Sequence, residues 1–328
     1  RVDRAARTPS NIRRGDNMRL ELERGWTSLL DSKGWRRFTS ARSIRAAMKS
    51  PAARRVDLYR RRFAMERRAA ADPEMFSDVS TFALFVGHTK SGGSLLGAFL
   101  DAHPRIVISD ELDALLYVGA GFRQQSLYHL IAKAARRESL KGRVTARRLN
   151  PYSLAVDGQW QGRHRSAKVV GDAKAGIATQ RLGRDPDLLE TLDHVVGEAS
   201  LRLLHVVRNP FDPISVMTIR GGRSFDDAID RYFANCAVLR ELHHALGPET
   251  IHVVRYEAMV ADPRTVLADA CRFLGVSVTD DYLDACAGVV RPEPERERRD
   301  VEWDANAIAR VESLMAAYDF LSDYSYES

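Results

Sequence analysis

Short runs of apolar residues alternate along the chain with longer amphipathic stretches. The first run, at residues 82–86, has the length of a strand and no polar face, as expected for a strand buried on both sides of a parallel sheet. Similar runs follow at residues 105–109, 167–170, 201–207 and 250–254. Helical patterns occupy residues 187–199, 225–246 and 263–274. The alternation predicts an α/β fold: a doubly wound parallel sheet of about five strands with helices on both faces.

The chain divides into an N-terminal part without strand patterns and a larger α/β part. Apolar residues recur at helical spacing over residues 18–75, so we predict a helical extension at residues 1–78 that packs on the core. Residues 79–328 then form the α/β domain. Residues 119–166 are the least regular and are predicted to be an insertion, where acceptors of α/β enzymes often bind. Within it, residues 159–161 (Gln-Trp-Gln) either line a ligand pocket or pack in the core.

Composition excludes some classes of protein. With 45% hydrophobic and 29% charged residues the chain is typical of globular proteins. Without a spanning apolar run or a secretory signal pattern, we expect a cytoplasmic protein with no membrane partner. Three cysteines without metal-binding spacing favour reduced thiols and no metal site. The net charge of +6 permits an anionic ligand, but the basic segments contain few aromatic residues, so we expect no nucleic-acid partner.

The first predicted strand ends in a glycine-rich turn that opens a helical pattern. The sequence GHTKSGGS at residues 87–94 places backbone N–H groups and a helix N-terminus where they can bind an anion. Its spacing almost matches the ATP-binding loop GxxxxGK[ST], but Gly93 replaces the lysine, and a lysine lies earlier, at Lys90. The turn therefore favours a phosphate site over a kinase or ATPase site. Taken by itself, it also fits a strand-to-helix junction without a ligand.

A second candidate phosphate site follows the fourth predicted strand. The sequence RNPFDPIS at residues 208–215 places Arg208 at the end of the strand and Ser215 at the start of a helical pattern. Arg208 offers a planar fork of donors that suits a phosphate. The alternative is a turn capped by Asp212. Two such motifs at strand-to-helix junctions favour ligand binding over two coincidental turns.

In these two motifs the chain resembles the bacterial-type sulfotransferases, which have a P-loop-like fold and use 3′-phosphoadenosine-5′-phosphosulfate (PAPS). The resemblance implies that Arg208 and Ser215 bind the 3′-phosphate, and that a basic late loop, through Arg298 or Arg299, closes over it. That loop also reads as a solvated turn of mixed charge. The resemblance further implies that the 5′-phosphosulfate is bound by the glycine-rich turn, namely by Lys90, Ser91, Gly92, Gly93, Ser94 and Leu95.

Three residues are candidates for catalysis. Lys90 is expected to stabilise the oxygen that bridges sulfur and phosphorus. Glu111 follows the second strand, at the sheet edge where ligands bind, and resembles the family's glutamate base. Its neighbour Asp110 is the competing base, and capping of a helix is the other role for Glu111. Lys174, after the third strand, is expected to contact the sulfuryl group or the acceptor, with Asp172 orienting it.

The sequence thus predicts a sulfotransferase that moves a sulfuryl group from PAPS, without a metal, to a hydroxyl of a small-molecule acceptor. A carbohydrate, a phenol and a secondary metabolite all fit as the acceptor. We expect in-line displacement, driven by positioning and fixed cationic donors, with a glutamate base. The alternatives are a P-loop kinase acting on a small molecule, which Gly93 disfavours, and a non-catalytic nucleotide-binding protein.

Overall fold

One parallel sheet organises the part of the chain that the computed structural model describes, residues 51–144 and 153–328. Its strands run in the order β2-β3-β1-β4-β5. They are β1 (Thr81–Gly87), β2 (Ile106–Ser109), β3 (Val169–Asp172), β4 (Ser200–Val207) and β5 (Ile251–Arg255). The predicted doubly wound sheet of about five strands is confirmed.

Helices connect the strands and cover both faces of the sheet. They are α1 (Pro51–Ala71), α2 (Gly93–Asp101), α3 (Ala114–Gly119), α4 (Gln124–Leu140), α5 (Ala175–Arg184), α6 (Asp187–Val196), α7 (Phe211–Ile219), α8 (Phe225–Ala245), α9 (Tyr256–Ala261), α10 (Pro263–Phe273), α11 (Asp280–Ala287) and α12 (Ala305–Met315). Two short 3₁₀ helices, Glu297–Asp300 and Asp319–Leu321, flank α12. Within these described ranges, no helix combines the length and apolar character needed to cross a bilayer.

The central strand β1 explains the continuous apolar run in the sequence. All seven of its residues are buried, and it pairs with β3 on one side and β4 on the other. Ala83 and Phe85 join the apolar cluster formed with α2, α10 and α11. On the opposite face, Phe82 stacks on Tyr128 of α4, with ring centroids 6.2 Å apart. Because successive side chains enter opposite layers, both faces of the strand are apolar from Phe82 to Val86.

Strand β3 begins and ends two residues later than the apolar run predicts. Its last residues, Gly171 and Asp172, are not apolar, yet both lie buried between strands. A Cβ at Gly171 would lie 2.2 Å from the carbonyl oxygen of Ala83, so the close approach of β1 and β3 requires glycine there. Asp172 is tolerated because its carboxylate is hydrogen-bonded, as described below.

The predicted N-terminal extension lies mostly outside the described residues. Residues 1–50 are not described, and residues 51–71 form helix α1. The extension at residues 1–78 and the domain boundary after it therefore stay predictions. Of the predicted insertion at residues 119–166, the described part contains helix α4.

The carboxylate of Asp101, at the end of α2, ties this insertion to the sheet. It is fully buried and accepts hydrogen bonds from the backbone N–H of Ile108 (2.9 Å) and of Gly162 (2.8 Å). It also pairs with the buried guanidinium of Arg143. Three segments far apart in sequence therefore converge on one carboxylate.

We predict that Asp101→Ala destabilises the protein by about 3–5 kcal/mol, because it leaves the charge of Arg143 buried without its partner. The free energy of unfolding, measured with urea, checks this. Asp157→Ala, which removes an exposed carboxylate of the same insertion, serves as the control and should change stability by less than about 0.5 kcal/mol. Equal effects of the two variants would contradict the anchoring role of Asp101.

Candidate functional site

The predicted site residues gather at the edge of the sheet where the parallel strands end. Strand β1 leads into the glycine-rich turn, β2 into Asp110 and Glu111, β3 into Lys174, and β4 into Arg208. Open α/β sheets bind their ligands at this edge, because the connections to the helices leave a crevice there.

The turn between β1 and α2 has a backbone shaped for close approach. Lys90 and Gly92 both have positive φ angles, of 72° and 96°. For a lysine this conformation costs on the order of 1 kcal/mol, and such strain concentrates at functional sites. The Ser91 side chain is buried, and its hydroxyl has no hydrogen-bond partner among the described residues, while Lys90 and Ser94 are exposed. The turn thus presents a cation and a buried hydroxyl beside the N-terminus of α2.

Tyr256, the first residue of α9, joins the two phosphate-type motifs. Its ring lies against Gly92: a Cβ at that glycine would be 2.5 Å from Cδ2 of the tyrosine. The same ring lies under the guanidinium of Arg208, whose Cζ is 4.7 Å from the ring centroid. The sequence motifs do not single out Tyr256, although its position directly after β5, at the ligand edge, was an available signal.

The two candidate bases have different surroundings. Glu111 is exposed and pairs with Lys174, whose Nζ is 3.1 Å from Oε2 of Glu111 and donates to its backbone carbonyl (3.2 Å). Asp110 is half-buried and hydrogen-bonded to Ser94 of the glycine-rich turn, and burial raises the pKa of its carboxyl. The structure therefore brings Glu111 and Lys174 together and places Asp110 against the glycine-rich turn.

Asp172 supports the site from beneath. It accepts hydrogen bonds from Oγ of Ser109 (2.7 Å) and from the backbone N–H of Ala114 (2.8 Å). Burial raises the pKa of its carboxyl to about 6. Asp172 therefore fixes the chain that follows β2, which is the segment that carries Glu111. Lys174 pairs with Glu111 instead of Asp172.

Arg208 is buried at the centre of a polar network. Its Nη1 donates to the carbonyl oxygen of Lys90 (3.0 Å), and its Nη2 contacts the carboxylate of Glu297 and the carbonyl of Glu295. The Asp212 carboxylate lies 3.5 Å from Nε. The guanidinium thus connects the end of β4 to the glycine-rich turn and to the late segment around residue 297.

Arg298 and Ser215, the other residues predicted to bind the 3′-phosphate, lie next to this network. Arg298 is buried and donates to Asp212 from its backbone N–H (3.1 Å) and from Nη1 (2.9 Å), whereas Arg299 is exposed. The hydroxyl of Ser215 is buried and accepts a hydrogen bond from Nε1 of Trp303 (3.0 Å). Two arginines and two carboxylates, those of Asp212 and Glu297, therefore balance one another here.

Two other expectations concern residues away from this edge. Gln161 is buried, and its amide bonds the backbone of Ala98, Leu154 and Val156, so it packs the insertion rather than facing an open pocket. The three cysteines are buried and free, and the described residues contain no His, Cys, Asp or Glu cluster suited to a metal ion.

Comparison with known protein families identifies the class of protein. A family model described as the sulfotransferase family matches residues 83–280, which is more than half of the chain. The matched range contains the glycine-rich turn, Glu111, Lys174, Arg208 and Ser215. The chain therefore belongs to the sulfotransferase family, a class of transferases.

Solved sulfotransferase structures resemble the chain at low identity. The sulfotransferase domain from the Synechococcus PCC 7002 olefin synthase is 20% identical, with 74% of this chain and 96% of that chain covered and a TM-score of 0.47. STF9 from Mycobacterium avium is 11% identical over 85% of this chain and 89% of that one, with a TM-score of 0.48. Mouse SULT7A1, solved in complex with PAP, is 13% identical over 75% and 87%, with a TM-score of 0.37. No curated protein matches the chain.

We predict that the carboxyl of Asp172 makes stability fall as the pH rises from 4 to 7. Its pKa is about 6 in the folded protein, against an ordinary value of 3.8 for an aspartate in water, so between these values the folded chain binds more protons than the unfolded one. Asp172→Asn does not titrate. Its free energy of unfolding, relative to wild type, should therefore increase by about 1–3 kcal/mol over this range.

Urea unfolding at pH 4.5, 5.5, 6.5 and 7.5 measures this difference. Asp157→Asn, at an exposed position, is the control and should follow the wild type at every pH. A constant difference between Asp172→Asn and wild type would show that Asp172 titrates alike in both states.

Proposed function

We propose that the protein transfers the sulfuryl group of PAPS to a hydroxyl group of a small-molecule acceptor. Family membership supplies the class of reaction. The observation that carries the choice of donor is the hydrogen bond of 3.0 Å from Arg208 to the Lys90 carbonyl, since it joins two anion-binding motifs at one sheet edge. A nucleotide with phosphate groups at both its 5′ and 3′ positions needs two such motifs side by side.

The glycine-rich turn fits the 5′ end of this nucleotide. The buried hydroxyl of Ser91 lacks a partner in the described chain, and leaving such a donor unsatisfied costs about 1–3 kcal/mol. Phosphate or sulfate oxygens would accept its hydrogen bond. The glycine at position 92 lets backbone N–H groups of the first turn of α2 approach the same oxygens.

Arg208 and Arg298 fit the 3′-phosphate of the nucleotide once one of the two carboxylates that neutralise them moves away. Asp212 belongs to α7, but Glu297 lies on a short 3₁₀ segment in the late loop. A 3′-phosphate would replace the Glu297 carboxylate on Arg208 and retain the charge balance of the buried network. The late segment thus acts as the cover of this subsite.

Residues of the chain then carry the chemistry. PAPS, when bound, supplies an activated sulfuryl group on a bisphosphate leaving group. Lys90 holds an ammonium group on the turn, where positive charge stabilises the oxyanion that develops during the transfer. Glu111 accepts the proton of the acceptor hydroxyl, and Lys174, 3.1 Å away, orients its carboxylate. Asp110 is held by Ser94, which leaves Glu111 as the more available base.

We predict that the protein binds 3′-phosphoadenosine-5′-phosphate (PAP) about tenfold or more tightly than adenosine 5′-phosphate (AMP), which lacks only the 3′-phosphate. Titration calorimetry without metal measures both affinities. Lys90→Ala should weaken both ligands, because both use the 5′ subsite. Arg208→Gln should weaken PAP far more than AMP and so reduce the difference; a smaller loss for AMP follows because Arg208 also holds the Lys90 carbonyl of the 5′ subsite.

Two further variants distinguish a loss of binding from a loss of folding. Glu297→Gln removes the competing carboxylate and should strengthen PAP while leaving AMP unchanged. Lys133→Ala, at an exposed position on α4, should bind both ligands as the wild type does. Equal affinity for PAP and AMP would contradict the assignment of PAPS as the donor. Binding of ATP that requires Mg²⁺ would favour the alternative of a kinase.

We predict that Glu111→Gln lowers kcat by about 10²–10⁴-fold, the usual contribution of a general base, with PAP affinity unchanged. Asp110→Asn is the matched comparison, since the two carboxylates are adjacent in sequence. Turnover is measured as PAP released from PAPS with a panel of hydroxyl acceptors. A larger loss in Asp110→Asn than in Glu111→Gln would assign the base to Asp110.

A further inference from the structure

A cavity of about 170 Å³ lies beside the glycine-rich turn. The residues that line it come from the turn, from α5, α7 and α8, and from the loop before α8. They are His88, Thr89, Gln180, Pro213, Met217, Arg223, Arg231, Tyr232 and Asn235. None of the phosphate-binding residues discussed above belongs to this wall.

The cavity wall is cationic. It contains two arginines and no carboxylate. Arg223 is paired with Asp227 at 2.6 Å, both of them exposed, and a pair in solvent holds its partner weakly. Arg231 is exposed and forms no ion pair with the residues that the structure describes, so its charge faces solvent at the cavity. A ligand in this cavity therefore meets the charge of Arg231 with no carboxylate in the cavity wall.

Two buried side chains of the wall carry polar atoms without partners. His88 donates from Nε2 to the carbonyl of Tyr232 (2.9 Å), which leaves Nδ1 as an acceptor, and Nδ1 has no partner in the described chain. Burial lowers the pKa of His88 to about 4, so the ring is neutral at neutral pH. The hydroxyl of Tyr232 also lacks a partner there. Both atoms are closed to solvent, so these two side chains form a neutral, buried part of the wall beside the arginines.

The cavity adjoins the catalytic candidates. Thr89 lies between His88 and Lys90, and it packs against α5: a Cβ at Gly176 would lie 2.7 Å from the Thr89 nitrogen. Lys174, the partner of Glu111, is the N-cap of this helix. Gln180 follows it by six residues, which is about 9 Å along a helix axis. That span suits a molecule of one or two rings.

We propose that this cavity binds the acceptor, and that it selects hydroxyl-bearing acceptors that also carry a carboxylate, sulfate or phosphate group, which Arg231 recognises. The inference rests on the proposed function, since it places the acceptor hydroxyl at Glu111. The neutral amides of Gln180 and Asn235, which also line the cavity, bind further hydroxyls. The anionic group then lies at the end of the molecule remote from the transfer.

Matched pairs of probes test the charge preference. Methyl glucuronide and methyl glucoside differ only in a carboxylate, as do 4-hydroxybenzoate and 4-hydroxybenzyl alcohol. Calorimetry is carried out with and without saturating PAP. In at least one pair, the anionic member should bind about tenfold or more tightly than the neutral one. Arg231→Gln should remove most of this preference. Arg184→Gln, at an exposed arginine of α5 outside the cavity, should keep it.

The outcomes separate this inference from the proposed function. If the protein binds PAP but shows no preference within either pair of probes, or binds none of the probes, the proposal of an anionic acceptor is wrong. The assignment of PAPS as the donor then remains intact. A preference that survives in Arg231→Gln overturns the role of Arg231. Gln180→Ala should weaken both members of the preferred pair, whereas unchanged binding would show that this amide does not contact the ligand.

Discussion

A buried cation organises the functional edge of this protein. The Arg208 guanidinium is only 3% exposed, and a charge removed from water to this extent is stable only when carboxylates and carbonyls surround it. Its partners come from the glycine-rich turn, from α7 and from the late segment, so the network fixes their relative positions. Tyr256 adds a ring beneath the same group. The shape of the proposed nucleotide site therefore depends on how one arginine is neutralised.

Backbone constraints place the other groups around this centre. Close approaches at Gly92 and Gly171 bring the turn against Tyr256 and β3 against β1. These contacts hold the central strands together, and Lys174, Glu111 and Lys90 follow within three residues of the strand ends. The buried carboxylates of Asp101 and Asp172 hold the adjoining segments by backbone N–H groups. Polar groups inside the protein thus define the geometry of the exposed ones.

The sequence alone was sufficient to predict the fold where one physical pattern dominated. The apolar runs predicted five buried strands, because both faces of this sheet are covered, and the turn after β1 followed from its glycines. Such patterns do not predict which side chains pair with one another. Nothing in the sequence near Glu297 distinguishes a carboxylate that pairs with Arg208 from its exposed acidic neighbours. The cavity beside His88 likewise depends on how three helices meet, and spacing along the chain does not encode that.

The contact between Trp303 and Ser215 gives the protein an internal reporter. The indole N–H donates to a hydroxyl in the proposed 3′-phosphate subsite, and the ring packs edge-on against Phe211 and Phe225. An indole proton resonates in an uncrowded region of the spectrum and its position follows the strength of its hydrogen bond. Occupancy of that subsite can therefore be observed at one atom, without a label and without turnover, while the acceptor end of the molecule is studied separately.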